Sequence, residues 1–171
     1  MKIVKLIFIL VVTLNFNNAF SQVSENIKID KKSILKIFKS TVEQENKNKI
    51  KITSNPWFSD ENKYLKSDTI KFTNANSYNR NYCRVINWTF YTKNKFIRSF
   101  GNYCEEPPTE KVTNKNDYFD LKVNEFKEKT FIQLYNQNKL IENFEILSLE
   151  KTQSLSYKNE IKYILTLKRI K

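Results

Sequence analysis

Cys83 and Cys104 are the only thiols in a chain of 171 residues, and they are the first candidates for chemistry. Two thiols are too few ligands for a zinc site. They can join as a disulfide where the surroundings are oxidising, or stay apart as structural cysteines. The rest of the usual catalytic set is thin. There is no histidine, which removes Ser-His-Asp and Cys-His nucleophile systems, imidazole general bases and the common zinc sites. Gly101 is the single glycine, so phosphate-cradling Gly-rich loops and dinucleotide fingerprints are excluded. A carboxylate pair of the glycosidase kind is formally open. Nothing singles out such a pair, and Glu105 and Glu106 sit beside Pro107 and Pro108 in a loop. The composition points away from an enzyme and calls for no cofactor and no metal.

Whether the cysteines pair depends on where the chain goes. Lys2 and Lys5 form a short positive stretch, Leu6 to Leu14 is apolar and uncharged, and Asn15 to Asn18 is polar. Ala19-Phe20-Ser21 then places small residues at the two positions a signal peptidase reads, with cleavage before Gln22. Residues 1–21 are therefore predicted to be a secretory signal peptide. The apolar run is shorter than the about 20 residues a membrane span needs. No other stretch is apolar enough, so the mature chain carries no transmembrane segment. No cysteine follows the run to take a lipid anchor. An N-terminal core helix fits poorly, because nothing polar punctuates the run. The Phe-Ser-Gln junction resembles signals of the Bacteroidetes group. The expected location is periplasmic or secreted, and an oxidising compartment favours a Cys83–Cys104 disulfide.

Cleavage leaves 150 residues, the size of one domain with a proper core. It lowers the net charge from +12 to +10. Such a balance suits an anionic partner. Lysine outnumbers arginine 26 to 4, however, and asparagine, isoleucine and phenylalanine abound, a pattern that resembles the codon bias of an AT-rich genome. Arginine is the residue usually used for bidentate recognition of phosphates and bases. The lysines read first as a solvated surface, and no nucleic-acid partner is expected.

Residues 22–30 are polar and read as a flexible N-terminus; 31–171 read as a single domain. Between Lys31 and Asn46, Ile34, Leu35, Phe38 and Val42 recur at helical spacing, with Asp30 as a plausible N-cap. This amphipathic helix either lies on a membrane surface or packs its stripe on the domain. Its polar face mixes both signs and lacks a tryptophan anchor, which favours packing. From Lys49 the period becomes two. Strands are predicted at Ile50–Ile52, Thr69–Phe72, Tyr82–Thr92, Lys95–Cys104, Tyr118–Asn124, Thr130–Asn136, Leu140–Glu150 and Ile161–Ile170. Asn136-Gln137-Asn138 supplies a left-handed turn where glycine is missing. One helix followed by eight strands with hairpin-length connections predicts a mainly β domain. It is an antiparallel eight-stranded meander closed into a barrel or half-barrel.

The cysteine spacing sharpens the hairpin between the third and fourth strands. If Lys93-Asn94 form a two-residue turn, opposed residues have numbers that sum to 187, as Cys83 and Cys104 do. Alternation then makes them a non-hydrogen-bonded pair, with Cα atoms about 4.5 Å apart, within reach of a disulfide. This register puts Ile86, Trp88, Phe90 and Ile97 on the apolar face. Val85, Asn87, Thr89, Tyr91, Phe96, Arg98 and Phe100 fall on the other. Asn87-Trp88-Thr89 matches a glycosylation sequon, with Asn87 pointing away from the core. A bulge at Gly101 would shift the register by one.

Trp88-Thr89-Phe90 with Lys93-Asn94-Lys95-Phe96, and the C-terminal Tyr163-Ile164-Leu165-Thr166-Leu167-Lys168-Arg169, resemble the lipocalin-like domains of small exported bacterial proteins over roughly residues 50–171. Asn55-Pro56-Trp57 stands where lipocalins carry Gly-x-Trp. The resemblance implies a barrel that holds a small apolar ligand, with Phe72, Ile86, Trp88, Phe90 and Ile97 lining it, and Arg169 stacked on a tryptophan at the closed end. The same residues at strand alternation also read simply as core. The competing function is an interaction module that binds a protein or an anionic envelope surface through lysines and an exposed patch around Tyr91, Phe96, Arg98 and Phe100.

Overall fold

The computed structural model describes residues 24–42, 56–74, 82–110, 114–153 and 161–170. The predicted signal peptide and the predicted strand Ile50–Ile52 lie outside these residues. The elements are β1 (Glu25–Asn26), α1 (Lys31–Ser40), β2 (Trp57–Asp60), α2 (Glu61–Lys66), β3 (Thr69–Asn74), β4 (Arg84–Thr92), β5 (Lys95–Asn102), β6 (Thr109–Glu110), β7 (Tyr118–Phe126), β8 (Lys129–Asn136), β9 (Lys139–Gln153) and β10 (Ile161–Arg169), with a single 3₁₀ turn at Lys115–Asp117.

Eight strands close an antiparallel barrel in the order β9-β10-β3-β2-β4-β5-β7-β8, with β8 returning to β9. From β4 to β10 the barrel strands form a meander, as alternation predicts. The order departs from a meander where β2 lies between β3 and β4, pairing antiparallel with both, so that β3 and β4 run parallel. The eighth barrel strand is thus Trp57–Asp60. The β7–β8 and β8–β9 hairpins turn through Lys127-Glu128 and Gln137-Asn138, all four at positive φ, the mirror-image turn that matches strand twist.

The β4–β5 hairpin turns at Lys93-Asn94, with Thr92 opposite Lys95. The register then slips. Phe90 faces Phe96 and Trp88 faces Arg98, so opposed residues sum to 186, with Tyr91 as the extra residue of a bulge. A one-residue slip moves every side chain of β5 to the other face. Phe96 therefore enters the core, Arg98 and Phe100 point inward, and Ile97 points outward, the reverse of the simple alternation. Two more bulges lie on β9, where Ile141 and Leu147 are the unpaired residues. All three bulged side chains are large, apolar and exposed.

The disulfide survives the slip. Cys83 and Cys104 flank the ends of β4 and β5 rather than sitting inside the ladder, with Cα atoms 4.9 Å apart and a bond between them. The Tyr103 N–H donates to the Cys83 carbonyl at 2.7 Å, continuing the 186 register, and Cys104 follows one residue on. Gly101 shows why this stretch holds the lone glycine. A Cβ there would lie 2.6 Å from the Tyr103 ring, which folds back over it.

Each barrel end is stopped by a helix. Asp30 caps α1 by accepting from the Ser33 N–H at 2.7 Å. Buried Ile34, Ile37 and Phe38 face the barrel, and Phe38 stacks on Phe90 and meets Trp57 edge-on. Thr41, after the last turn of α1, accepts from the Trp57 indole at 3.2 Å. At the other end Asp60 caps α2, whose buried Tyr64 inserts its ring against Phe72 and Trp88.

Candidate functional site

Four of the five residues expected to line a ligand cavity, Phe72, Ile86, Trp88 and Phe90, point into the barrel and are at most 1% exposed. They meet other rings there. Trp88 lies 4.2 Å from Phe72, 4.8 Å from Phe96 and 6.2 Å from Phe144 between ring centroids. Phe96 in turn stacks on Phe119 at 5.4 Å. These are the separations of packed aromatic pairs. Ile97 does not join them: it is half-buried on the outer face, opposite Thr89 and Tyr118. Three surface clefts, beside Arg84, beside Lys39 and beside Lys32, are lined by none of the five.

Below this aromatic column, four polar side chains converge at the α2 end. Glu142, with an 11% exposed side chain, accepts from Arg98 at 2.5 Å and from Arg169 at 2.8 Å. The Tyr64 hydroxyl donates to the same carboxylate at 2.8 Å, and Arg169 also donates to the Tyr64 carbonyl at 2.7 Å. The Arg98 guanidinium lies 4.3 Å from the Phe119 ring. Burial, reinforced by the Glu142 charge, pushes the Tyr64 hydroxyl far above the usual tyrosine range. Burial disfavours the Arg98 charge, but the attraction of Tyr64 and Glu142 outweighs it and the net shift is upward. Sequence reasoning missed this network because the register slip hid Arg98. Arg169 stacks on Tyr64 and Phe144, not on a tryptophan. Trp57 is stacked on Tyr163 near the start of β10, away from the Arg169 end of that strand. The network ties β5, β9, β10 and α2 together.

On the outside of the same end, a cleft of about 650 Å³ is lined by Glu61, Arg84, Phe100, Asn102, Glu105 and Glu110, among others. Arg84 pairs with Glu61 at 2.6 Å. Glu110 accepts from Ser99 at 2.5 Å and from Asn87 at 3.3 Å. Asn87 points outward as expected, but it is only 3% exposed beneath Glu110, so the sequon asparagine is covered. Among the described residues no group of three His, Cys, Asp or Glu is placed to hold a metal ion, and no helix is long and apolar enough to cross a membrane.

The exposed patch expected around Tyr91, Phe96, Arg98 and Phe100 is not there, because the slip turns the last three inward. What faces solvent across β4, β5 and β7 is Tyr91 (45% exposed), Ile97 and Tyr118 (46%), with the two tyrosine rings edge-on at 6.3 Å. The Lys95–Asp120 ion pair lies beside them. At the α1 end, Lys32, Lys36 and Lys39 are exposed on the helix face away from the barrel. Compared with known protein families, curated proteins and solved structures, the chain matches none. Fold and surface alone carry the functional reading.

Proposed function

We propose that this protein is an exported, non-enzymatic binding module that meets its partner with its outer surface and keeps no ligand inside the barrel. The observation that carries this reading is the Trp88 environment. Its ring is fully buried among Phe72, Phe96 and Phe144, and helices stop both barrel ends. An eight-stranded barrel is just wide enough for side chains to fill it, and these side chains are large. Interior aromatics that a lipocalin-like carrier would turn toward a ligand here turn toward one another. The disulfide fits an oxidising location, and the exposed tyrosines are the residue type favoured at binding surfaces.

Titration with anilinonaphthalene sulfonate, together with native mass spectrometry of protein purified from its own host, tests the reading. The expected result is a bare protein mass and tryptophan emission that the dye leaves unchanged, since Trp57 and Trp88 are both fully buried. A co-purifying apolar molecule at one per chain, displaced by the dye with quenching of tryptophan, would restore the carrier reading.

A further inference from the structure

Helix α1 breaks two rules of helix electrostatics, and it breaks them on one face. Its ten residues, KKSILKIFKS, contain four lysines and no acid. Lys31 and Lys32 occupy the first turn, where the positive end of the helix dipole disfavours cations. Lys32 and Lys36 are spaced i, i+4, which sets like charges side by side, and Lys39 extends the row by three. At 100° per residue these three lie opposite the Ile34–Ile37–Phe38 stripe that the barrel buries. The lysine stripe is therefore the outer pole of the helix.

Among the described residues no ion pair involves this stripe. The ion pairs of the described lysines involve Lys28, Lys95, Lys129 and Lys151, and none of the α1 lysines. The two acids beside Lys31 and Lys32 are engaged by the helix backbone, Asp30 by the Ser33 N–H at 2.7 Å and Glu125 by the Lys31 N–H at 2.7 Å. The charge continues off the helix. Exposed Lys93, at the β4–β5 turn, shares with Lys39 a cleft of about 240 Å³ floored by Val42 and Tyr91. An AT-rich codon bias accounts for lysine in place of arginine. It does not account for cations placed in the first turn, where they weaken the helix. Local rules are broken in natural sequences chiefly where function requires it.

We propose that the α1 end of the barrel docks on an anionic phospholipid surface through Lys32, Lys36, Lys39 and Lys93. The inference deepens the outer-surface reading and rests on it. A row of ammonium groups on a convex rod is suited to a surface of phosphate headgroups, which it meets as point charges. The apolar stripe of α1 is already spent on the barrel, so the helix does not insert. Docking is then peripheral, reversible and lost at high salt.

The test is co-sedimentation of the purified protein with vesicles of phosphatidylcholine alone or mixed with phosphatidylglycerol. The N-terminal residue is read by mass spectrometry, so that an uncleaved apolar leader is not mistaken for docking. The expected result is binding to the anionic vesicles only, weakened on the order of 100-fold by the triple variant Lys32→Gln, Lys36→Gln, Lys39→Gln, at roughly fivefold per lysine. A control variant, Lys63→Gln with Lys66→Gln on α2, should bind as the parent does. Circular dichroism verifies that each variant is folded. Equal binding to both vesicle types, binding that survives the triple substitution, or capture only by DNA or an anionic polysaccharide overturns the proposal. Failure here with a closed interior in the dye titration removes the lipid partner and leaves the outer-surface reading standing. An apolar ligand found inside the barrel removes that reading itself.

Discussion

Arg98 is the cross-strand partner of Trp88, and both side chains enter the barrel. Each leaves one N–H, the indole Nε1 of Trp88 and the guanidinium Nε of Arg98, buried without an acceptor. The cluster below them holds two guanidiniums against the single carboxylate of Glu142. Charge and donors are both in excess there, which makes the two sides of the ion pair unequal.

Glu142→Met strands two partly buried cations and should cost up to about 3–5 kcal/mol, the range for removing one side of a buried pair. Arg98→Met leaves Glu142 balanced by Arg169 and removes an unmade donor, so its cost should stay below about 1.5 kcal/mol. Urea denaturation of both variants decides it; equal losses would contradict the inequality.

Tyr64 makes the protein sensitive to alkali. Its folded pKa is raised above the ordinary value of 10.0, so the native state keeps a proton that the unfolded state gives up. The contribution is complete below the ordinary tyrosine pKa and declines as pH rises toward the folded one, by at most about 1.4 kcal/mol per pH unit. Tyr64→Phe should flatten that decline in denaturation curves measured at successive alkaline pH values. A parallel slope in the variant would assign the effect to other groups.

Phe72 separates core from ligand wall. Packed as it is on Trp88 and Tyr64, Phe72→Ala should cost about 3–5 kcal/mol. A residue lining an open cavity would lose far less, and thermal unfolding distinguishes the two.

Cys83 and Cys104 close a loop that contributes about 3 kcal/mol on the chain-entropy account. The Cys83→Ala, Cys104→Ala double variant should fall in stability by about that amount. Intact mass after alkylation should show no modified thiol before reduction and two after it.

Lys32→Glu tests the cost of the lysine stripe. An acid in the first turn, four residues before Lys36, should raise stability by about 0.5–1 kcal/mol while weakening vesicle binding. A gain in stability with undiminished binding would separate the two effects.

Seven of the barrel strands and the disulfide were legible because each rests on a local rule. Period-two alternation marks Phe119, Leu121 and Val123, and an even thiol count marks the cysteines. The slip at Tyr91 was not legible, since Phe96 and Ile97 are adjacent and both apolar, so either fits the core. Only pairing with Phe90 chooses between them, and the Arg98–Glu142 network depends on that choice. Trp57-Phe58-Ser59 gave no strand signal because all three are buried, which erases alternation. The six residues of α2 are too few to show a helical period.

The position of β2 also constrains how the barrel is assembled. From β4 to β10 every new barrel strand docks beside the one just before it, so this stretch can zip in chain order. The β2–α2–β3 unit is made first yet is seated as a wedge, with β2 against β4 and β3 against β10. It cannot finish docking until the last strand has arrived. The N-terminal third must therefore wait for the C-terminus, and closure is a strongly non-local step of folding, the kind that lowers rate more than stability.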